Sequence, residues 1–272
     1  MKTRDAPLGV FDSGLGGLTV VRALREALPN EPIVYLGDTA RVPYGTKAPA
    51  TVVKYALACA RHLAARDVKA LVIACNTVSA VAPERLRVDL DVPVLGVIDP
   101  GARAAVAATK SGRIGVLATR GTIASGAYPR AVARVSTRAE VVGQAAPMLV
   151  PLAEEGWVEG DVPRLVVRRY IEPLARAGVD VVVLGCTHYP LLSATIEAEV
   201  HARIGEHATV VDSARATAAD VRAFLTSRAL DRQSTPPARA VHALVTDAAQ
   251  GVRETASRFL GEDIGEVEQV DL

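Results

Sequence analysis

The chain has 272 residues, 50% hydrophobic, 4% aromatic and 22% charged, with 31 basic side chains against 30 acidic ones and three cysteines. That composition excludes wholesale disorder, and a net charge of +1 gives no electrostatic reason for nucleic acid or a membrane surface as the main partner. Three thiols cannot close a disulfide framework, and a chain this long buries a core without one, so reduced cysteines in a cytoplasmic protein are expected.

Residues 1–7 are short and charged, and no apolar run reaches membrane length. The run 8–11 reads as a strand feeding the Gly-rich turn of 11–20 (FDSGLGGLTV) and a helix over 17–28. Such a turn frees backbone N–H groups for an anion, but its spacing is neither G-x-G-x-x-G nor a P-loop, so nothing points to a nucleotide. Asp12 and Ser13 there either take a substrate's ammonium and carboxylate or serve only as turn and cap; the sequence leaves both readings open. A strand over 33–37 opens into the polar loop 37–45 (GDTARVPYG), a functional strand-end loop or an ordinary turn. The helix over 50–65 carries Cys59 among apolar residues, where a thiol is a small core hydrophobe. A strand over 70–74 ends at Cys75, followed by Asn76, Thr77 and a helix over 79–88. After a strand over 92–97, the Asp-Pro-Gly of 99–101 reads as a seam.

The rhythm continues with helices over 101–109, 123–135, 165–177, 191–200, 214–227 and 248–259, and strands over 113–118, 139–142, 179–184, 209–211 and 241–245. A polar, Pro-rich connector at 232–237 (RQSTPP) forms a second seam. Alternation of this kind implies βαβ units and parallel sheets. Nine candidate strands are many for one open sheet, so two smaller α/β units are expected.

An internal echo supports that division. Residues 70–77 (ALVIACNT) overlay 181–188 (VVVLGCTH): each is an apolar strand, then a cysteine, then polar residues opening a helix. Ligands of open α/β sheets bind at the carboxyl ends of strands, where Cys75 and Cys186 would sit. A helix start is expected to favour the thiolate of each. No C-x-x-C pair and no zinc-type spacing is present, so neither redox nor metal chemistry is supported locally. Two thiols on similar scaffolds suit inversion of a carbon centre, which needs a base on one face, an acid on the other, and an exchange of roles in reverse. His188, two residues after Cys186, either tunes that thiol and assists the proton transfer or is only hydrogen-bonded structure.

Together, 11–20, 37–45, 74–77 (ACNT), 96–101 (GVIDPG) and 185–191 (GCTHYPL) resemble, in order and approximate spacing, the cofactor-independent aspartate/glutamate racemase family, and within it the bacterial glutamate racemases. The resemblance runs from residue 8 to about 213; the stretch after 230 carries no matching motif. It implies racemisation of glutamate by two thiols, with no cofactor and no metal, supplying D-glutamate for peptidoglycan. By that resemblance Cys75 and Cys186 are the catalytic acid and base, assisted by Asp12 and His188 respectively. Asp12, Ser13, Tyr44, Gly45, Asn76, Thr77, Thr119, Thr122, Thr187 and His188 match substrate-binding positions, and Asp38 and Glu154 supporting acidic ones. The implied fold is two similar doubly wound parallel-sheet α/β domains facing each other across a cleft. Residues 1–97 with 209–272 would carry Cys75, and 98–208 would carry Cys186. A homodimer is the implied assembly. The competing readings are a racemase of aspartate or a hydantoin, a regulator of a DNA topoisomerase (a role proposed for some members), and a thiol redox protein.

Overall fold

The computed structural model describes residues 3–234, 241–248 and 251–272. Four strands, β1 (Leu8–Asp12), β2 (Ile33–Gly37), β3 (Ala70–Ile73) and β4 (Val94–Gly96), open one sheet. The next four, β5 (Arg113–Ala118), β6 (Glu140–Ala145), β7 (Val181–Gly185) and β8 (Thr209–Asp212), form a second, and β9 (Val241–Val245) and β10 (Val267–Gln269) return to the first. Among the described residues the orders are β10-β9-β2-β1-β3-β4 and β6-β5-β7-β8, with every pairing parallel. β1, β3 and β7 are buried along their whole length, as their unbroken apolar runs require of parallel strands covered on both faces.

The helices that cover these sheets are α1 (Leu18–Ala27), α2 (Pro49–Ala64), α3 (Asn76–Ser79), α4 (Pro83–Asp89), α5 (Ile98–Ala108), α6 (Arg120–Ala124), α7 (Ala127–Val135), α8 (Leu149–Glu154), α9 (Asp161–Arg176), α10 (Ser193–Arg203), α11 (Ser213–Ser227) and α12 (Val252–Leu260). Helix α11 leaves the second sheet and packs on α1 and α5. The largest apolar cluster therefore runs through both halves, from Leu8 and Leu24 to Leu184 and Val221. Among the described residues no helix is long and apolar enough to cross a membrane.

The two halves share one topology: β2-β1-β3-β4 corresponds strand for strand to β6-β5-β7-β8. In each, the chain steps to one side of the first strand and then crosses to the other. That reversal opens a crevice at the carboxyl ends of β1 and β3, and of β5 and β7. Cys75 follows β3 and Cys186 follows β7, so the echo in the sequence is an equivalence in the fold.

The structure departs from expectation in several places. Residues 209–212 were expected to rejoin the first unit, but β8 pairs with β7 in the second sheet, Val181 against Thr209. The backbone of this strand is satisfied there, and the chain departs only after Asp212, whose carboxylate caps α11 by accepting the Ala214 N–H. The Asp-Pro-Gly of 99–101 does mark the passage from the first sheet to the second, but as the first turn of α5, where a proline costs no hydrogen bond, rather than as a linker. The helix expected over 79–88 is divided into α3 and α4, with Pro83 opening the second. In the connector 232–237, residues 235–237 lie outside the described residues, as do 249 and 250 of the helix expected over 248–259.

Candidate active site

The carboxyl ends of both sheets converge on one pocket lined by Ser13, Gly14, Val42, Pro43, Tyr44, Gly45, Cys75, Asn76, Thr77, Thr119, Val150, Glu154, Cys186, Thr187 and His188. Asp12 ends β1 beneath it, fully buried. Its Oδ2 accepts the N–H groups of Gly14 (3.2 Å) and Gly17 (3.0 Å), while Oδ1 is buried without a partner. One oxygen thus organises the turn, as the cap reading expects, and the other is left without a partner. Burial pushes the Asp12 carboxyl up, against the pull of the His188 charge and the backbone N–H groups of Gly17, Gly14 and Ser13.

The glycines of this turn are required by packing. A Cβ on Gly17 would lie 2.5 Å from the Asp12 Cβ, and one on Gly16 would lie 2.6 Å from His188 and from the Thr187 hydroxyl. The first half of the chain is therefore in direct contact with the imidazole of the second.

Cys75 caps α3 and donates to the Ser13 hydroxyl at 3.4 Å. The expected helix-start preference for a thiolate does not hold here. Burial, and then the negative charge of Asp12, push the thiol up to about 12, ahead of the opposing Ser13 hydrogen bond. Helix α3 is only four residues long, too short a dipole to counter complete burial.

Asn76 accepts from the Tyr128 hydroxyl at 2.8 Å through Oδ1, which leaves its buried Nδ2 unpartnered. Three hydroxyls form a triangle across the two halves: Thr77 to Thr119 (3.0 Å), Thr77 to Thr122 (3.3 Å) and Thr119 to Thr122 (3.0 Å). The Pro-Tyr-Gly loop closes over this triangle; a Cβ on Gly45 would meet Thr119 at 2.9 Å. Tyr44 lines the pocket, but its hydroxyl is spent on Asp38 rather than directed at a ligand. Asp38, fully buried, also holds Arg41 and Thr246, each at 2.9 Å, and so anchors the loop from outside the pocket.

Opposite, His188 Nδ1 lies 3.7 Å from Cys186 Sγ and Nε2 lies 3.1 Å from Glu154 Oε1. Thr187 is fixed by its carbonyl, which accepts from Thr19 at 2.9 Å. Burial alone would lower the His188 pKa, but the hydrogen bonds to Cys186 and Glu154 outweigh it and raise it to about 10. His188 is therefore a cation at neutral pH. Since the raised value lies above the ordinary 6.5, the stabilisation is fully present below 6.5 and is lost as pH rises toward 10. Glu154→Gln removes one of the two supports, so the His188 midpoint read by NMR should move down from about 10 and the alkaline loss of stability should begin at lower pH. An unchanged midpoint would refute the role given to Glu154.

All fourteen site residues named from sequence lie in or directly against the pocket. Those that sequence reasoning missed are Tyr128, which orients Asn76, and Arg258 and Phe259 of α12, which touch Glu154 and His188. No local motif marks any of them. Cys59 is buried in α2 and lines no part of the pocket, although its thiol lies within hydrogen-bonding reach of Tyr44, which does. Among the described residues, no group of three or more His, Cys, Asp or Glu side chains is placed to hold a metal ion.

The pattern of the Asp/Glu/hydantoin racemase family matches residues 16–221. A glutamate racemase from Geobacter metallireducens is 50% identical over 97% of this chain and 96% of its own. Among solved structures, a glutamate racemase from Bacillus anthracis superposes with a TM-score of 0.92 at 36% identity, covering 99% of this chain and 98% of its own. One from Francisella tularensis, in complex with D-glutamate, superposes with a TM-score of 0.89 at 34% identity, covering 98% of each chain.

Proposed function

The chain belongs to the Asp/Glu/hydantoin racemase family, and from this premise we infer that it is a glutamate racemase, interconverting L- and D-glutamate by proton transfer between two thiols. The observation that carries the reading is the placement of Cys75 and Cys186 on equivalent strand ends of two like sheets, lining one pocket.

The proposed chemistry follows from the groups around each sulfur. Cys75 rests as a thiol, held protonated by burial and by Asp12, whereas Cys186 lies beside an imidazolium. The Cys186 thiolate takes the α-proton from one face of glutamate, and the electron pair left on the α-carbon delocalises into the carboxylate. The Cys75 thiol returns a proton to the opposite face, inverting the centre and leaving a Cys75 thiolate and a Cys186 thiol. The reverse reaction begins from that state. The unpartnered Asp12 Oδ1 suits the α-ammonium, and the unpartnered Asn76 Nδ2 with the three threonine hydroxyls suits the carboxylate, steadying the charge that develops there. No step in this scheme calls for a metal or cofactor. The same reading places the enzyme in the cytoplasm, as a homodimer, supplying D-glutamate to the peptidoglycan of the cell wall.

Incubation of either glutamate enantiomer in deuterium oxide, followed by chiral chromatography and NMR, tests this directly. The expected result is racemisation with deuterium entering the α-position, retained under strong reductant. Racemisation of aspartate but not glutamate would overturn the substrate, and inactivity on both would overturn the enzymatic reading in favour of a binding role.

A further inference from the structure

The family pattern ends at residue 221, yet α12 reaches back into the active site. Phe259 is fully buried and meets the His188 ring edge-on, with centroids 5.1 Å apart and planes at 80°. Its neighbour Arg258 donates from Nη1 to the Glu154 carbonyl at 2.6 Å, and from Nη2 to Glu254 within the helix at 3.4 Å. The Arg258 guanidinium lies across Gly156, where a Cβ would come within 3.1 Å of Cζ, and Gly156 has a φ of +74°. Two consecutive residues of one helix thus fix the ring of His188 and the backbone that carries its hydrogen-bond partner.

The helix is well placed to hold them. Left-handed glycines at Gly251 and Gly261 bound it, it packs on α1, and Phe259 and Leu260 join the main apolar cluster. Helix α1 also begins beside Gly16, the residue pressed against His188. The immediate partner of Cys75, by contrast, is Ser13.

We propose that Arg258 and Phe259 are positioning residues for the Cys186–His188–Glu154 unit, so that α12 governs one of the two proton-transfer barriers and not the other. This rests on the two-thiol racemase reading. A displacement of His188 of about 1 Å is enough to cost one to two orders of magnitude in rate. The loss has a distinctive signature. Because mirror-image substrates have an equilibrium constant of one, kcat/KM must fall equally in both directions whichever barrier rises. What separates the barriers is the isotope effect of α-deuterated substrate. If the Cys186 step is slowed, that effect rises for the enantiomer whose proton Cys186 removes and falls for the enantiomer whose proton Cys75 removes.

The test measures kcat/KM and substrate deuterium isotope effects from both enantiomers for the wild type, Arg258→Gln, Phe259→Leu and Ser13→Ala. Arg258 is 31% exposed, so its variant should fold even if the buried Phe259→Leu does not. We expect about a tenfold loss of kcat/KM in both α12 variants. Their isotope effects should shift in opposite senses for the two enantiomers, and Ser13→Ala should show the mirror-image pattern. Wild-type isotope effects in Arg258→Gln, as a loss of active enzyme alone would give, overturn the proposal, as do shifts of one sign for both enantiomers. A wild-type protein that exchanges no α-proton of glutamate would instead overturn the racemase reading beneath it.

Discussion

Cys75→Ser and Cys186→Ser should each reduce racemisation by three orders of magnitude or more, on the scale expected for loss of a general acid or base. Inversion requires both thiols in series, so the double variant should be little worse than either single one, as is usual for groups acting as a unit. A serine hydroxyl is far less acidic than a thiol and has no accessible anionic state in so buried a position. Each single variant nevertheless keeps one functional thiol. Cys75→Ser should still wash deuterium into the enantiomer whose proton faces Cys186, without inverting it, and Cys186→Ser should do the same for the opposite enantiomer. Cys59→Ala serves as the control: Cys59 is buried in α2 and reaches the pocket only through Tyr44, whose hydroxyl Asp38 holds, so the change costs stability on the order of 1 kcal/mol and leaves kcat nearly intact. Full racemisation by either of the first two variants would dismiss the two-thiol mechanism, and collapse of activity in the third would mean that Cys59 has a part the geometry does not give it.

The two thiols of the pocket are legible in the sequence because their signal is local and repeated. An apolar run too continuous for a half-exposed strand, ended by a cysteine and polar residues, occurs at 70–77 and again at 181–188, and parallel-sheet geometry does the rest. That Asp12 spends one oxygen on the turn and leaves the other unpartnered is not legible in the sequence, since turn chemistry and ligand binding select the same residue type. The state of Cys75 was misjudged because a helix start was visible but its four-residue length and the depth of burial were not. The sheet that takes β8 is not legible because Thr209, Val210 and Val211 fit a strand in either half; its neighbour is chosen by the β7 edge, more than twenty residues away. Tyr128, Arg258 and Phe259 act on residues 52, 104 and 71 positions distant, and no pattern within a window of sequence records such contacts. The three-residue β10, with two of its side chains exposed, has too little apolar content to announce itself.

Lys69→Met should be strongly destabilising while leaving the chemistry untouched. Lys69 is 0% exposed and paired with Glu31, itself 2% exposed. Its ammonium also donates to the carbonyls of Arg4 (2.7 Å) and Leu230 (2.9 Å), and Glu31 accepts the Arg232 N–H at 2.7 Å. One buried pair thus ties the segment before β1, the turn before β2, the residue before β3 and the chain leaving α11. Burying two charges is costly, but removing one of them is worse, because the other is left without compensation; the usual loss is about 3–5 kcal/mol. Urea unfolding of Lys69→Met should show a loss of that size. Lys69→Met with Glu31→Gln should recover part of it, since no charge then remains buried. All of these contacts lie at the amino ends of the strands, whereas Asp12, Cys75 and the pocket lie at the carboxyl ends, roughly 15 Å away along β1 at about 3.3 Å per residue. The kcat per folded molecule at 25 °C should therefore be preserved in both variants. A loss below about 1 kcal/mol would mean that the pair is not a clamp. A matching collapse of kcat would mean that the amino ends of the strands do not hold the chain independently of the site they support.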